Sequence, residues 1–200
     1  MSKNDYSAGA VKFSFWFPEF KKIILLLNEG SSLNDIKGMV ENQNILSAST
    51  PARSKQVFTT VSKWIAALPE QFCELFARND INTQKLIVIV AIMKTDLLFY
   101  EFMSEVYKEK LIVNDLVLTE SDIRVFFTNK QRENDKIAKW TDETLSRLPR
   151  TYKSYLTEAG LIEKSVGNRK ILRPILDDSL KRALSEHNLT AIYNILLGTR

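Results

Sequence analysis

Positive charge is unevenly spread along this chain. Between residues 147 and 173 stand Arg147, Arg150, Lys153, Lys164, Arg169, Lys170 and Arg173, against only Glu158 and Glu163. That local +5 exceeds the +4 of all 200 residues, so the rest of the chain is close to neutral. Clustered guanidinium and ammonium groups neutralise phosphates and release the counterions held there, so such a segment is the footprint of a nucleic-acid site. A solvated charged face would give the same composition. A second, smaller group surrounds Thr50, where Ser49, Arg53, Ser54 and Lys55 flank the expected first turn of a helix. Free N–H groups at a helix start attract anions, so Arg53 and Lys55 are candidates for a further phosphate contact. A well-capped helix with solvated charges explains these residues too.

Residues able to run catalysis are scarce. His187 is the one histidine and Cys73 the one cysteine. A disulfide framework, a cysteine-based zinc cluster and a histidine-rich metal site are thereby excluded. No glycine-rich phosphate loop occurs, and a Ser-His-Asp triad would rest on His187, whose neighbours SEHNL carry no motif. Glu105, Glu109 and Lys110 match a nuclease set by residue type alone, and a charged helix face accounts for them. The expectation is a non-enzymatic protein with no cofactor and no metal.

The basic residues need elements to hold them. TDETLSRL predicts a short helix capped by Thr141, and Pro149 is expected to open the next, PRTYKSYLTEAG, because proline suits a first turn. That second helix buries Tyr152, Tyr155, Leu156 and Ala159 and displays Arg150, Lys153, Thr151 and Ser154. LIEKSVGNRKILRPIL then predicts a hairpin, residues 161–164 pairing with 169–174 across Gly167-Asn168. Thr119 caps an earlier helix carrying Ile123, Val125, Phe126 and Phe127, and NKQRENDK follows as a polar loop. Helices followed by a basic hairpin form the order of a winged helix-turn-helix. Its recognition helix would place Arg150 and Lys153 in the major groove, and its wing would lay Lys164, Arg169, Lys170 and Arg173 on phosphates.

Residues 83–110 carry the core. Leu86 to Met93 is uninterrupted apolar sequence, and apolar residues resume from Leu97 to Tyr107 without Pro or Gly. The length predicts one long buried helix and is too much for a strand; the run falls short of the ~18 residues a membrane span needs. Upstream, Pro18 opens a helix with Phe20, Ile24 and Leu27 inward and Gly30 closing it. Ser31 or Ser32 caps a second helix with Leu33, Ile36 and Val40. Thr50-Pro51 begins a third, bearing Val57, Val61, Trp64, Ile65 and Leu68. Residues 112–118 suit a connector or one small strand. Near the end, one helix runs through Leu180 and Leu184, and Asn188 caps another through Ile192, Ile195 and Leu196. Residues 1–10 are expected to be frayed and lack a signal peptide's apolar core. The fold class is mainly α: a helical bundle over 1–115 around the long buried helix, then a winged-helix-like subdomain over 116–200. A cytoplasmic protein without membrane contact fits.

ENQNILSASTPARSKQV, FYEFMSEVYKEK and YLTEAGLI, spread over most of the chain, resemble the BrxA family of BREX phage-defence systems. The resemblance implies a cytoplasmic, non-enzymatic component of a multi-protein defence system that binds double-stranded DNA through a winged-helix-like C-terminal part. Two other readings remain open. The C-terminal module would dock another protein of that system, or the chain would be a helical RNA-binding protein, which base-stacking aromatics among the basic residues would favour.

Overall fold

The computed structural model describes residues 5–200 and is mainly helical, with one short antiparallel pairing. It divides into two units: Phe15–Thr95, and Asp96–Arg200 joined by residues 5–14. The sequence reading placed a boundary near residue 115, so residues 96–115 pack with the C-terminal unit in place of the N-terminal bundle.

The first unit holds five helices: α1 (Phe17–Asn28), α2 (Leu33–Gln43), α3 (Pro51–Ala66), α4 (Gln71–Arg78) and α5 (Ile81–Thr95). Their starts follow local chemistry. Ser32 and Asp35 exchange hydrogen bonds in a capping box, Thr50 accepts from the Arg53 amide, and Pro18 and Pro51 occupy first turns. Every residue from Leu86 to Met93 is buried, as expected of a helix that is apolar on all sides. Phe76 packs tilted against Phe17 and Phe20, ring centres 6.2 and 5.4 Å apart, and the Gln84 amide ties α4 to α5 by donating to the Phe76 and Asn79 carbonyls.

The long helix expected over 83–110 is broken. α5 stops at Thr95, and Asp96 adopts extended backbone and accepts the Phe99 amide, opening α6 (Leu97–Phe102). A wide π turn (Met103–Lys108) and α7 (Glu109–Ile112) continue it. The cause is a local competition: the Thr95 hydroxyl bonds back to the Ala91 and Ile92 carbonyls, and the Asp96 carboxylate caps better than it propagates.

The rest of the second unit is β1 (Val117–Leu118), α8 (Glu120–Glu133), α9 (Asp135–Ala138), α10 (Asp142–Glu158), β2 (Arg169–Lys170), α11 (Asp178–Glu186) and α12 (Thr190–Leu197). β1 pairs antiparallel with β2, Val117 opposite Lys170 and Leu118 opposite Arg169. On the other side of β2, Ile162 bridges Ile171, and Glu163 donates to the Lys170 carbonyl. The expected hairpin therefore exists, with Gly167 at its turn in left-handed backbone (φ +72), but its ladder is short and it gains the upstream partner β1. Phe99 and Phe102 of α6, Phe127 of α8, and Tyr152 and Tyr155 of α10 form an aromatic core.

Five local expectations are corrected. α10 runs from its Thr141 cap straight through Pro149, giving one helix where two were expected. The proline removes a single N–H, and the buried stripe Leu148, Tyr152, Tyr155 and Leu156 carries the helix past it. NKQRENDK is helical except at Asn134: α8 runs on to Glu133, where Lys130 is a buried packing position, and α9 begins at Asp135. Val125, expected on the apolar side, is exposed. Asn188 does not cap α12: in left-handed backbone (φ +57) it terminates α11, while the Leu189 amide reaches back to the Leu184 carbonyl. The frayed start lies outside the described residues for 1–4. From there on it is overturned: Asp5 meets Lys136 at 2.5 Å, Tyr6 donates to the Glu101 carboxylate at 2.9 Å, and Ala10 is buried.

α8 begins with a second capping box. The Thr119 hydroxyl accepts the Asp122 amide at 3.1 Å, and Asp122 accepts the Thr119 amide at 2.7 Å. Lys110 adds an ion pair to Asp122 at 2.8 Å and to Asp115 at 2.7 Å. Thr119→Ala is expected to cost about 1 kcal/mol in urea unfolding. An unchanged midpoint would show that the box does not hold the start of α8.

Candidate nucleic-acid interface

α10 sets the geometry of the basic segment. Its buried residues repeat at helical spacing, so Ser146, Arg147, Arg150 and Ser154 fall together on the solvent side. Arg150 and Lys164 form no ion pair among the described residues. Arg147 pairs with Glu143 at 3.1 Å, one turn back on the same helix. Lys153 is largely covered and its ammonium group sits 2.6 Å from Glu120, at the start of α8. Between α8 and α10 lies a groove of about 480 Å³, with Arg124, Arg150 and Lys153 at its rim and Ile123 and Phe127 beneath.

The hairpin divides its basic residues into two kinds. Lys164 stands on the exposed turn 163–168, and Lys170 is exposed beside Glu163 at 3.9 Å. Arg169 instead donates to the Thr157 hydroxyl at 2.8 Å, clasping the hairpin to α10, and its Nε is buried without a partner. Arg173 donates to the Leu111 carbonyl at 2.8 Å and to the Asn114 side chain at 3.2 Å. A cation on the last carbonyls of α7 is a helix-end contact, as the backbone dipole favours. Tyr107 adds a hydrogen bond to the Leu172 carbonyl. Arg169 and Arg173 are thus hairpin anchors, while Arg150, Lys164 and Lys170 face solvent.

The second candidate group belongs to the other unit and is described by itself. Thr50 caps α3, Arg53 lies over the Trp16 ring at 4.9 Å and reaches Gln56 at 2.9 Å, and Lys55 is exposed beside a cleft of about 390 Å³. Ser54, buried in that cleft, donates to Asn44 at 3.4 Å. These contacts match a capped, packed helix start.

Sequence reasoning missed Glu120 as part of the interface. Its partner Lys153 is 33 residues away, beyond any local pattern. Tyr152 and Tyr155 are 0% and 1% exposed, so neither is placed to stack on a base. Among the described residues no three His, Cys, Asp or Glu side chains group to hold a metal ion, and no helix is long and apolar enough to cross a membrane. Cys73 is half-buried, and burial, with Glu70 nearby, pushes its thiol above the ordinary range.

A crystal structure of an uncharacterized protein from Magnetospirillum magneticum superposes with a TM-score of 0.79 over 97% of this chain and 99% of its own, at 18% identity. A BREX protein BrxA from Bacillus cereus (strain H3081.97) is 38% identical over 161 residues, which is 80% of either protein. The BrxA family profile matches residues 4–188, taking in both units, the solvent side of α10 and the hairpin; the chain belongs to the BrxA family.

Proposed function

We propose that this chain is a non-enzymatic component of a BREX-type phage-defence system, working with other proteins of that system and binding double-stranded DNA. Membership of the BrxA family supports the system. The observation that carries DNA binding is the order β1, α8, α9, α10, hairpin within one unit, with Arg150 on α10 and Lys164 on the hairpin outside any ion pair and Lys170 exposed beside Glu163. A winged helix has that order, and its third helix and wing meet the duplex. α10 then enters the major groove and the hairpin follows phosphates, which sets register without reading sequence. No residue takes a catalytic role in this reading.

The test is fluorescence anisotropy with duplex DNA, duplex RNA and single strands over a salt series. Arg150→Ala/Lys164→Ala/Lys170→Ala removes three solvent-facing cations and spares the anchors Arg169 and Arg173. If Lys164 and Lys170 each neutralise one phosphate, the slope of log K against log salt should fall by about 1.8 on any duplex, and the loss of Arg150 from the major groove should add a part that depends on sequence. A folded triple variant that binds with the parental affinity and slope sinks the reading. Val166 and Ile175, 100% and 92% exposed in and after the hairpin, favour a second reading in which this module docks another protein. Arg53→Ala/Lys55→Ala should change the slope much less than the triple variant.

A further inference from the structure

Three cations of the candidate interface are already matched by acids of the same chain: Arg147 by Glu143 at 3.1 Å, Lys170 by Glu163 at 3.9 Å and Lys153 by Glu120 at 2.6 Å. The last differs in kind. The first two pairs are local, and both partners are at least half exposed. Lys153 and Glu120 come from different helices, and the Lys153 side chain is only 14% exposed. Its ammonium group is held at the groove wall, one turn of α10 from Arg150.

We propose that Glu120 sets the affinity of the DNA interface by occupying Lys153 and withholding its charge from phosphates. The inference rests on the DNA-binding reading. An ammonium group 2.6 Å from a carboxylate releases no DNA counterion, and its charge is cancelled at the surface a phosphate would approach. Glu120 itself is half exposed, so replacing it by glutamine keeps size and hydrogen bonding and frees one cation. The interface thereby holds one phosphate ligand in reserve. Any partner group that takes up the Glu120 carboxylate would release it.

The experiment compares parent, Glu120→Gln, Lys153→Gln and the double variant on one duplex over a potassium chloride series. Glu120→Gln should bind several-fold tighter at low salt, with a slope steeper by about 0.9, the share of one phosphate contact. Lys153→Gln should bind more weakly than the parent, because it bares the Glu120 carboxylate, yet keep the parental slope, and it should remove the extra 0.9 from the Glu120→Gln background, a non-additive pair. Two results overturn the inference while DNA binding stands: Glu120→Gln matching the parent in affinity and slope, or Lys153→Gln lowering the slope equally in both backgrounds, as independent charges would. Failure of the parent and all variants to bind duplex DNA overturns both readings together.

Discussion

Phe99→Ala is expected to cost roughly 3–5 kcal/mol, the range for emptying a buried aromatic site. Phe99 is fully buried and meets Tyr152 and Tyr155 edge-on, at 5.0 and 5.5 Å between ring centres. Tyr152 also touches Phe102 and Phe127, so the cavity would open at the junction of α6, α8 and α10. Tyr152 cannot turn its hydroxyl into that cavity cheaply, since it donates to Asp96 at 3.4 Å. Urea unfolding followed by tyrosine fluorescence and by circular dichroism reads the loss. A midpoint within error of the parent would show that these rings do not form the core. Phe99→Leu, which keeps most of the volume, should lose markedly less.

Lys130→Ala is expected to be the second large effect, at about 3 kcal/mol. The Lys130 side chain is 7% exposed, with Glu105 at 2.6 Å, Glu101 at 2.9 Å and Glu133 at 3.9 Å. Its ammonium group also lies 5.4 Å from the centre of the Phe126 ring. Removing it leaves Glu101 poorly hydrated beside the Tyr6 hydroxyl, whereas Glu105 and Glu133 can turn to water, which keeps the cost at the low end. Burial lowers the Lys130 pKa, but Glu105 and Glu101 outweigh it and hold the net value above the usual 10.5. A raised folded-state pKa contributes stability that is complete below the unfolded value and lost as pH climbs past it. Tyr6 acts in the same direction: burial and then Glu101 push it up to about 12. The parent should therefore lose stability above pH 10.5, and Lys130→Met should flatten that loss. A Lys130→Ala midpoint equal to the parent's, or an unaltered alkaline limb in Lys130→Met, would show that the cluster is ornamental.

What could be read beforehand follows the reach of each interaction. Thr50, Thr119 and Thr141 were legible as caps, and Ser32 as one of two adjacent serines, because a cap and its amide lie three residues apart. The buried character of α5 was legible because its composition leaves no polar side. The break at Asp96 was not, since apolar residues on both sides masked one cap, and Pro149 misled because a proline costs one hydrogen bond where a buried stripe can carry the helix on. For the interface, residue types and their clustering were visible, and so was the turn at Gly167. Which cations remain available was not. Arg169 is taken by Thr157, Arg173 by Leu111 and Asn114, and Lys153 by Glu120, all contacts that exist only after folding.

The C-terminal unit is assembled from two stretches of chain, residues 5–14 and 96–200, with the whole of the other unit threaded between them. Tyr6 leaves the ribosome 95 residues ahead of its partner Glu101, and Asp5 leads Lys136 by 131. Phe15–Thr95 can finish folding while those first residues still wait, and closing so long a loop slows the last step. A fusion or truncation at the amino terminus would then disturb the unit that carries α10 and the hairpin, and leave the one adjacent in sequence intact. A permuted chain that begins at Phe15 and carries residues 5–14 after Arg200 would remove the wait, and its refolding rate would report how much of the delay the threading imposes.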